Sequence, residues 1–143
     1  MIQKYGNASW QGGLRDGTGQ VSTETGVLSK QDYSFAKRFG DVKGTNPEEL
    51  IGAAHAACFA MALSGDLEKA GLKADNIDAR STVNLDMSSG APTVNRIHVD
   101  VSATVPGASE EQFRQIAEGT KQNCPISRLL AGSAQIDMTA KLA

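Results

Sequence analysis

The run from Leu50 to Leu63, LIGAAHAACFAMAL, constrains this chain more than any other stretch. It is the longest apolar segment, and a complete helix start precedes it. Asn46 is placed to cap the amide of Glu49, Pro47 suits the first helical position, and Glu48 and Glu49 fall at the positive end of the helix dipole. Leu50, Ile51, Ala54, Ala57, Cys58 and Met61 recur at spacings of three and four, which predicts a helix. Gly52 and the neighbouring alanines let other backbone approach closely. Polar residues resume at Ser64, and Gly71 is placed to end the helix. A helix apolar nearly all round belongs at the centre of a domain or between two copies of one.

A chain of 143 residues is expected to form a single domain over 1–143 and to bury about 70% of its unfolded surface, without a metal or disulfide to hold it. The net charge of -2, with lysine and arginine scattered along the chain, gives no electrostatic basis for binding nucleic acid or an anionic membrane. The opening Met1-Ile2-Gln3-Lys4-Tyr5-Gly6 lacks the apolar core of a signal peptide, and Leu50–Leu63 is shorter than a bilayer span. The expectation is a soluble cytoplasmic protein. In that compartment disulfides are mostly transient and redox-active, which draws attention to the two cysteines, Cys58 and Cys124.

Residues 2–10 and 17–28 read as strands around the turn-rich Gly12–Gly17, with Trp10 near the turn. A third short segment, Tyr33–Phe39, alternates aromatic or small residues with polar ones until Arg38 and breaks at Gly40-Asp41. After the central helix, residues 79–86 and 94–105 read as strands. In the second, Ile97, Val99, Val101, Ala103 and Val105 face one way, and Arg96, His98 and Asp100 the other. Ser109 and Gln112 have the spacing of a capping box for a helix carrying Phe113, Ile116 and Ala117. Cys124-Pro125 then opens a short helix from Ile126 to Leu130, and residues 134–142 alternate as a last half-buried strand. This order gives an α+β fold with mostly antiparallel sheets.

Burial in an apolar helix should raise the pKa of Cys58 and leave it an inert core thiol; reactivity requires a cation in contact. Lowering a thiol from about 8.5 to about 6 takes roughly 3.4 kcal/mol. One unit charge at about 4 Å in an effective dielectric of about 20 supplies about 4 kcal/mol, so one arginine suffices. Arg38 is the nearest candidate in sequence, with Lys37 and His55 as rivals. Glu48 has a purely local explanation in its helix-start position, and a functional one if it orients Arg38. Ten residues of straight helix place Glu48 about 15 Å along the axis from Cys58. A site holding Glu48, Arg38 and Cys58 therefore requires a broken helix or two subunits. Cys124 stands at a helix start, where thiolates are favoured, and its 66-residue separation from Cys58 matches no zinc pattern. The glycines of residues 12–19 lack the lysine and hydroxyl residue of a phosphate-binding loop.

Three stretches carry a resemblance over essentially the whole chain: VSTETGVL at 21–28, GTNPEELIGAAHAACF at 44–59 and NCPIS at 123–127. With them the sequence resembles the OsmC/Ohr family of thiol-dependent peroxidases, and its OsmC branch in particular. The resemblance implies an antioxidant, stress-response enzyme that reduces organic hydroperoxides, and more weakly hydrogen peroxide, to alcohols. It implies Cys58 as the peroxidatic cysteine that becomes a sulfenic acid and Cys124 as the resolving cysteine that closes a disulfide. It implies Arg38 as the cation beside the thiolate and Glu48 as the carboxylate that orients it. The implied fold is an intertwined α+β homodimer with antiparallel sheets around long central helices and two sites at the subunit interface. No cofactor or metal is implied; an external dithiol, of the dihydrolipoyl kind in the Ohr branch, reduces the disulfide. The alternative from another class is a non-catalytic dimeric stress protein that binds an apolar ligand.

Overall fold

The computed structural model, which describes residues 1–143, is an α+β arrangement of six strands and four helices, and its contacts divide the chain into two units, Met1–Leu50 and Ile51–Ala143. In the first unit, β1 (Gly6–Gln11), β2 (Thr18–Thr23) and β3 (Gln31–Tyr33) form an antiparallel meander in sequence order. The Trp10 ring meets that of Tyr33 at 5.4 Å between centroids, and Gly19 is buried beside the Tyr33 ring. The alternation over Tyr33–Phe39 does not continue the sheet. Ser34 accepts the Lys37 amide at 3.3 Å and starts the short helix α1 (Phe35–Phe39). A hydroxyl cap three residues before an available amide outweighs a period-two pattern only four residues long. The helical turn brings Phe35 and Phe39 together, with ring centroids 4.8 Å apart.

Helix α2 (Pro47–Lys69) starts as its residues require: Asn46 Oδ1 accepts the Glu49 amide at 2.9 Å and Pro47 is its first residue. It ends in a Schellman motif. Gly71, at φ +76°, donates to the Glu68 carbonyl at 3.0 Å, and Leu72 donates to the Leu67 carbonyl at 2.9 Å. At 23 residues it runs well past the apolar stretch read from the sequence, and by length and composition it is sufficient to cross a membrane. The argument that it is too short to span fails. Its fully covered stripe is Gly52, His55, Phe59, Leu63 and Leu67, whereas Ala54, Ala57 and Met61, which the spacing placed in the core, are exposed. An all-round apolar helix has no polar face to fix its rotation, so the bulk of Phe59, Leu63 and Leu67 decides.

In the second unit, β4 (Asn76–Asp86), β5 (Thr93–Thr104) and β6 (Gln135–Leu142) form a sheet with β5 in the centre. β4 and β5 pair antiparallel. β5 and β6 pair parallel, Arg96 opposite Gln135 through Ala103 opposite Leu142, because the connection between them is the helical crossover of α3 (Glu110–Asn123) and α4 (Pro125–Leu130). Ser109 Oγ accepts the Gln112 amide at 3.2 Å at the start of α3. The core lies between α2, α3 and the sheet: Phe59, Leu63 and Leu67 meet Val99, Val101 and Ala103, with Phe113 and Ala117 closing one side. Cys124 belongs to this core.

Gly52 is where α2 comes closest to the sheet, since a Cβ there would stand 2.7 Å from the Ser81 carbonyl oxygen. Backbone cannot yield as a flexible side chain does. Gly52→Ala is therefore expected to destabilise the protein by about 1–3 kcal/mol, read as a lower urea midpoint at unchanged slope. Ordinary helix propensity predicts the opposite sign, a gain of about 0.5–1 kcal/mol, so the direction alone decides.

Candidate active site

The two thiols, 66 residues apart in sequence, meet in the second unit. Cys58 sits on α2 immediately before the buried Phe59. Cys124 ends α3, its amide donating to the Thr120 carbonyl at 2.8 Å, and it also precedes Pro125, the first residue of α4. Proline cannot continue α3, so the chain turns at Cys124 and presents its side chain to α2. The Sγ atoms are 2.8 Å apart, and both residues are free cysteines. Cys124 is 1% exposed, and Cys58 is half-buried.

The pair shares charge unequally. Burial, followed by the hydrogen bond it gives to Cys124, pushes the Cys58 thiol up, and the Ile126 amide offsets only part of this. Burial also opposes ionisation of Cys124. The hydrogen bond from Cys58, the amide and hydroxyl of Ser127 and the Ile126 amide outweigh it and hold Cys124 below the ordinary thiol range. Within this unit the two thiols are thus shifted in opposite senses, Cys58 up and Cys124 down. Two strongly interacting thiols ionise as a pair, so a cation beside Cys58 would move the charge to Cys58 and the remaining proton to Cys124.

His55 lies one turn before Cys58 and is fully buried. Its Nδ1 is 2.8 Å from Ser81 Oγ on β4, and its Nε2 is 2.8 Å from Ser127 Oγ on α4. Burial lowers its pKa, so it is neutral and does not supply the cation for which it was a candidate. Ser127 is a residue that composition and spacing did not single out. Its only mark in the sequence is its place three residues after the cap position of a short helix.

Arg38 and Glu48 meet in the first unit. Arg38 Nη2 donates to Glu48 Oε1 at 2.8 Å, and Nε lies 3.2 and 3.3 Å from the two carboxylate oxygens, so the guanidinium is held by a fork. The Glu48 side chain is only 13% exposed. Lys37 takes no such part, its stem lying over Gly44. The Arg38 guanidinium also lies 5.1 Å from the centroid of the Phe39 ring. Trp10, Leu14, Tyr33, Phe35 and Phe39 line a cleft of about 250 Å³ together with Ser34 and Arg38, its one charged group. The four site residues read from the sequence thus form two pairs, Cys58 with Cys124 and Arg38 with Glu48.

The chain is similar to known proteins over nearly its whole length. The family model described as OsmC-like protein matches residues 40–139. The chain is 44% identical over 140 residues to Peroxiredoxin OsmC of Escherichia coli strain K12, covering 98% of each chain. Among solved structures, an organic hydroperoxide resistance protein from Elizabethkingia anophelis superposes with a TM-score of 0.76 at 25% identity, over 100% of this chain and 98% of the other. An OsmC-like protein from Mycoplasma pneumoniae shares the fold, with a TM-score of 0.77 at 14% identity, over 99% and 98% of the two chains. With the match to the family model and that identity over nearly its full length, the chain belongs to the OsmC-like family, in its OsmC branch.

Proposed function

We infer that this protein is a two-cysteine, thiol-dependent peroxidase that reduces organic hydroperoxides, and hydrogen peroxide less well. The observation that carries this reading is the contact of Cys58 and Cys124 at 2.8 Å, with the more accessible sulfur on Cys58. The Cys58 thiolate attacks the distal peroxide oxygen, forming an S–O bond as the O–O bond breaks. The alkoxide takes a proton and leaves as the alcohol. The Cys124 thiolate then attacks the sulfenic sulfur, forming the S–S bond and expelling hydroxide, which leaves as water. An external dithiol restores both thiols and becomes a disulfide.

Arg38, held by Glu48, has the charge to keep Cys58 ionised and to stabilise the developing alkoxide. The aromatic cleft against which Arg38 lies suits an alkyl or aryl hydroperoxide better than hydrogen peroxide. The functional unit of this reading is a homodimer. Ala53, Ala57 and Met61 form an exposed stripe at spacings of four on α2, with Met61 79% exposed, and a second copy of the same helix is an apolar surface able to cover it.

The test is tert-butyl hydroperoxide consumption with excess dithiol, followed by mass spectrometry of the protein after one equivalent of peroxide. Turnover, together with an intramolecular Cys58–Cys124 disulfide formed stoichiometrically, is the expected result. Peroxide that remains unconsumed while both thiols stay free overturns the reading.

A further inference from the structure

Building on the peroxidase reading, we propose that Arg15 is a specificity-determining residue: it selects organic hydroperoxides that carry a carboxylate remote from the peroxide group. Two cations bracket one pair of aromatic rings. The Arg38 guanidinium lies 5.1 Å from the centroid of Phe39, the Phe39 and Phe35 centroids are 4.8 Å apart, and the Arg15 guanidinium lies 4.9 Å from the centroid of Phe35. All four residues belong to the first unit, and both rings line the cleft of about 250 Å³.

The two cations differ in what they hold. Arg38 is committed to Glu48, whose carboxylate accepts from its Nε and Nη2. Arg15 makes no ion pair. Its neighbour Asp16 folds its carboxylate back over the turn, where a Cβ on Gly13 would stand 2.6 Å from Asp16 Oδ1. A guanidinium resting on an aromatic face keeps its N–H edge available, and that edge matches the two oxygens of a carboxylate. The turn that carries Arg15 is held in place. Trp10 Nε1 donates to the Gly12 carbonyl at 3.2 Å, and the Gly17 amide donates to the Gly13 carbonyl at 2.8 Å. Gly17 is buried against the Trp10 ring, where a Cβ would come within 2.9 Å. Arg15 is thus an exposed, unpaired cation on a fixed turn.

A substrate laid along this row has its peroxide at Arg38, its hydrocarbon body against Phe39 and Phe35, and its carboxylate at Arg15. The chemistry at the peroxide is unchanged. Arg15 adds an interaction that a neutral hydroperoxide of the same shape lacks, and hydrogen peroxide has neither the body nor the carboxylate to use the row. Because the guanidinium is exposed, the preference is expected to be about fivefold, the size of one solvent-screened ion pair.

The experiment compares para-carboxy cumene hydroperoxide with its methyl ester, which lacks the remote charge. The parent is expected to show a kcat/KM about fivefold higher for the acid, and the advantage should shrink as salt is raised from about 0.01 M to about 1 M. Arg15→Gln should remove the preference, and Arg15→Glu should turn it toward the ester. The readout is the ratio of the two substrates, so a general change in activity cancels from it. A second arm needs no turnover. Trp10, the only tryptophan, lines the cleft, and its fluorescence follows binding of the product, para-carboxy cumyl alcohol, to the Cys58→Ser protein. The acid should bind about fivefold more tightly than its methyl ester, and Arg15→Gln should erase the difference. Equal treatment of acid and ester by the parent, or an acid preference that survives Arg15→Gln, overturns the proposal. Failure of the peroxidase reading shows separately, as a parent protein that consumes neither hydroperoxide, and the fluorescence arm then decides whether Arg15 reads the carboxylate.

Discussion

Cys58→Ser is expected to abolish hydroperoxide turnover, by about four orders of magnitude or more, while the protein stays folded. The loss follows from the nucleophile: an alcohol is scarcely ionised at neutral pH, and no general base stands beside position 58 to activate it. The other sulfur cannot substitute, since Cys124 is only 1% exposed. The fold should tolerate the change. Cys58 is half-buried, serine is smaller by little, and its hydroxyl still donates to Cys124. Circular dichroism and a urea midpoint close to that of the parent establish this. Cys124→Ser separates the two roles: it should consume one equivalent of peroxide at the parental rate and then stall as a sulfenic acid that a 1,3-dicarbonyl reagent traps. Equal turnover by Cys58→Ser and the parent would show that the peroxide never reacts at this sulfur.

Most of the fold was legible because its signals are local. Asn46-Pro47-Glu48-Glu49 carries its own helix start, Gly71 its own stop, and Ile97 through Ala103 alternate so regularly that both faces of β5 follow from the sequence. Two features were not legible. The rotation of α2 depends on which of many apolar residues finds bulk opposite it, and the sequence offers Met61 and Phe59 as equals; the core takes Phe59 and leaves Met61 in the open. The parallel pairing of β5 with β6 is a property of the crossover through α3 and α4, not of either strand.

The site was legible in a different way. Single residues were marked by chemistry, a thiol in an apolar helix and a thiol before proline, but their meeting is a long-range contact that spacing does not encode. Arg38 and Glu48 were paired by the family resemblance, and the fork between them is present. His55 was read as a rival cation. Its position between two serines depends on β4 and α4 arriving on opposite sides of α2, information spread over residues 55, 81 and 127. The opposite shifts of the two thiols were likewise invisible, because they arise from burial and the hydrogen bond between the sulfurs, followed by Ser127 and Ile126.

The upward shift of Cys58 bears on the second large effect. Arg38→Ala should lower kcat/KM for tert-butyl hydroperoxide by about a hundredfold to a thousandfold. A guanidinium about 4 Å from a thiolate contributes about 4 kcal/mol at an effective dielectric of about 20, close to a thousandfold in rate if all of it acts on the reacting sulfur. On the reading that Arg38 serves Cys58, its removal leaves the Cys58 thiol pushed up by burial, so the loss should appear as fewer reactive molecules as well as a poorer transition state. Iodoacetamide alkylation mapped by mass spectrometry reads the first part directly: labelling of Cys58 at neutral pH should fall along with activity. Arg38→Lys should recover little, because an ammonium cannot be held by both Glu48 oxygens. Glu48→Gln should cost less than Arg38→Ala, since the charge remains and only its aim is relaxed. Mixing the inactive Cys58→Ser and Arg38→Ala proteins, after dissociation and reassembly, then decides which subunit supplies the cation. If Arg38 serves its partner's Cys58, half of the randomly formed dimers carry one intact site and the mixture regains about a quarter of parental activity. If Arg38 serves its own subunit, every intact combination is missing and the mixture stays at the level of the separate variants.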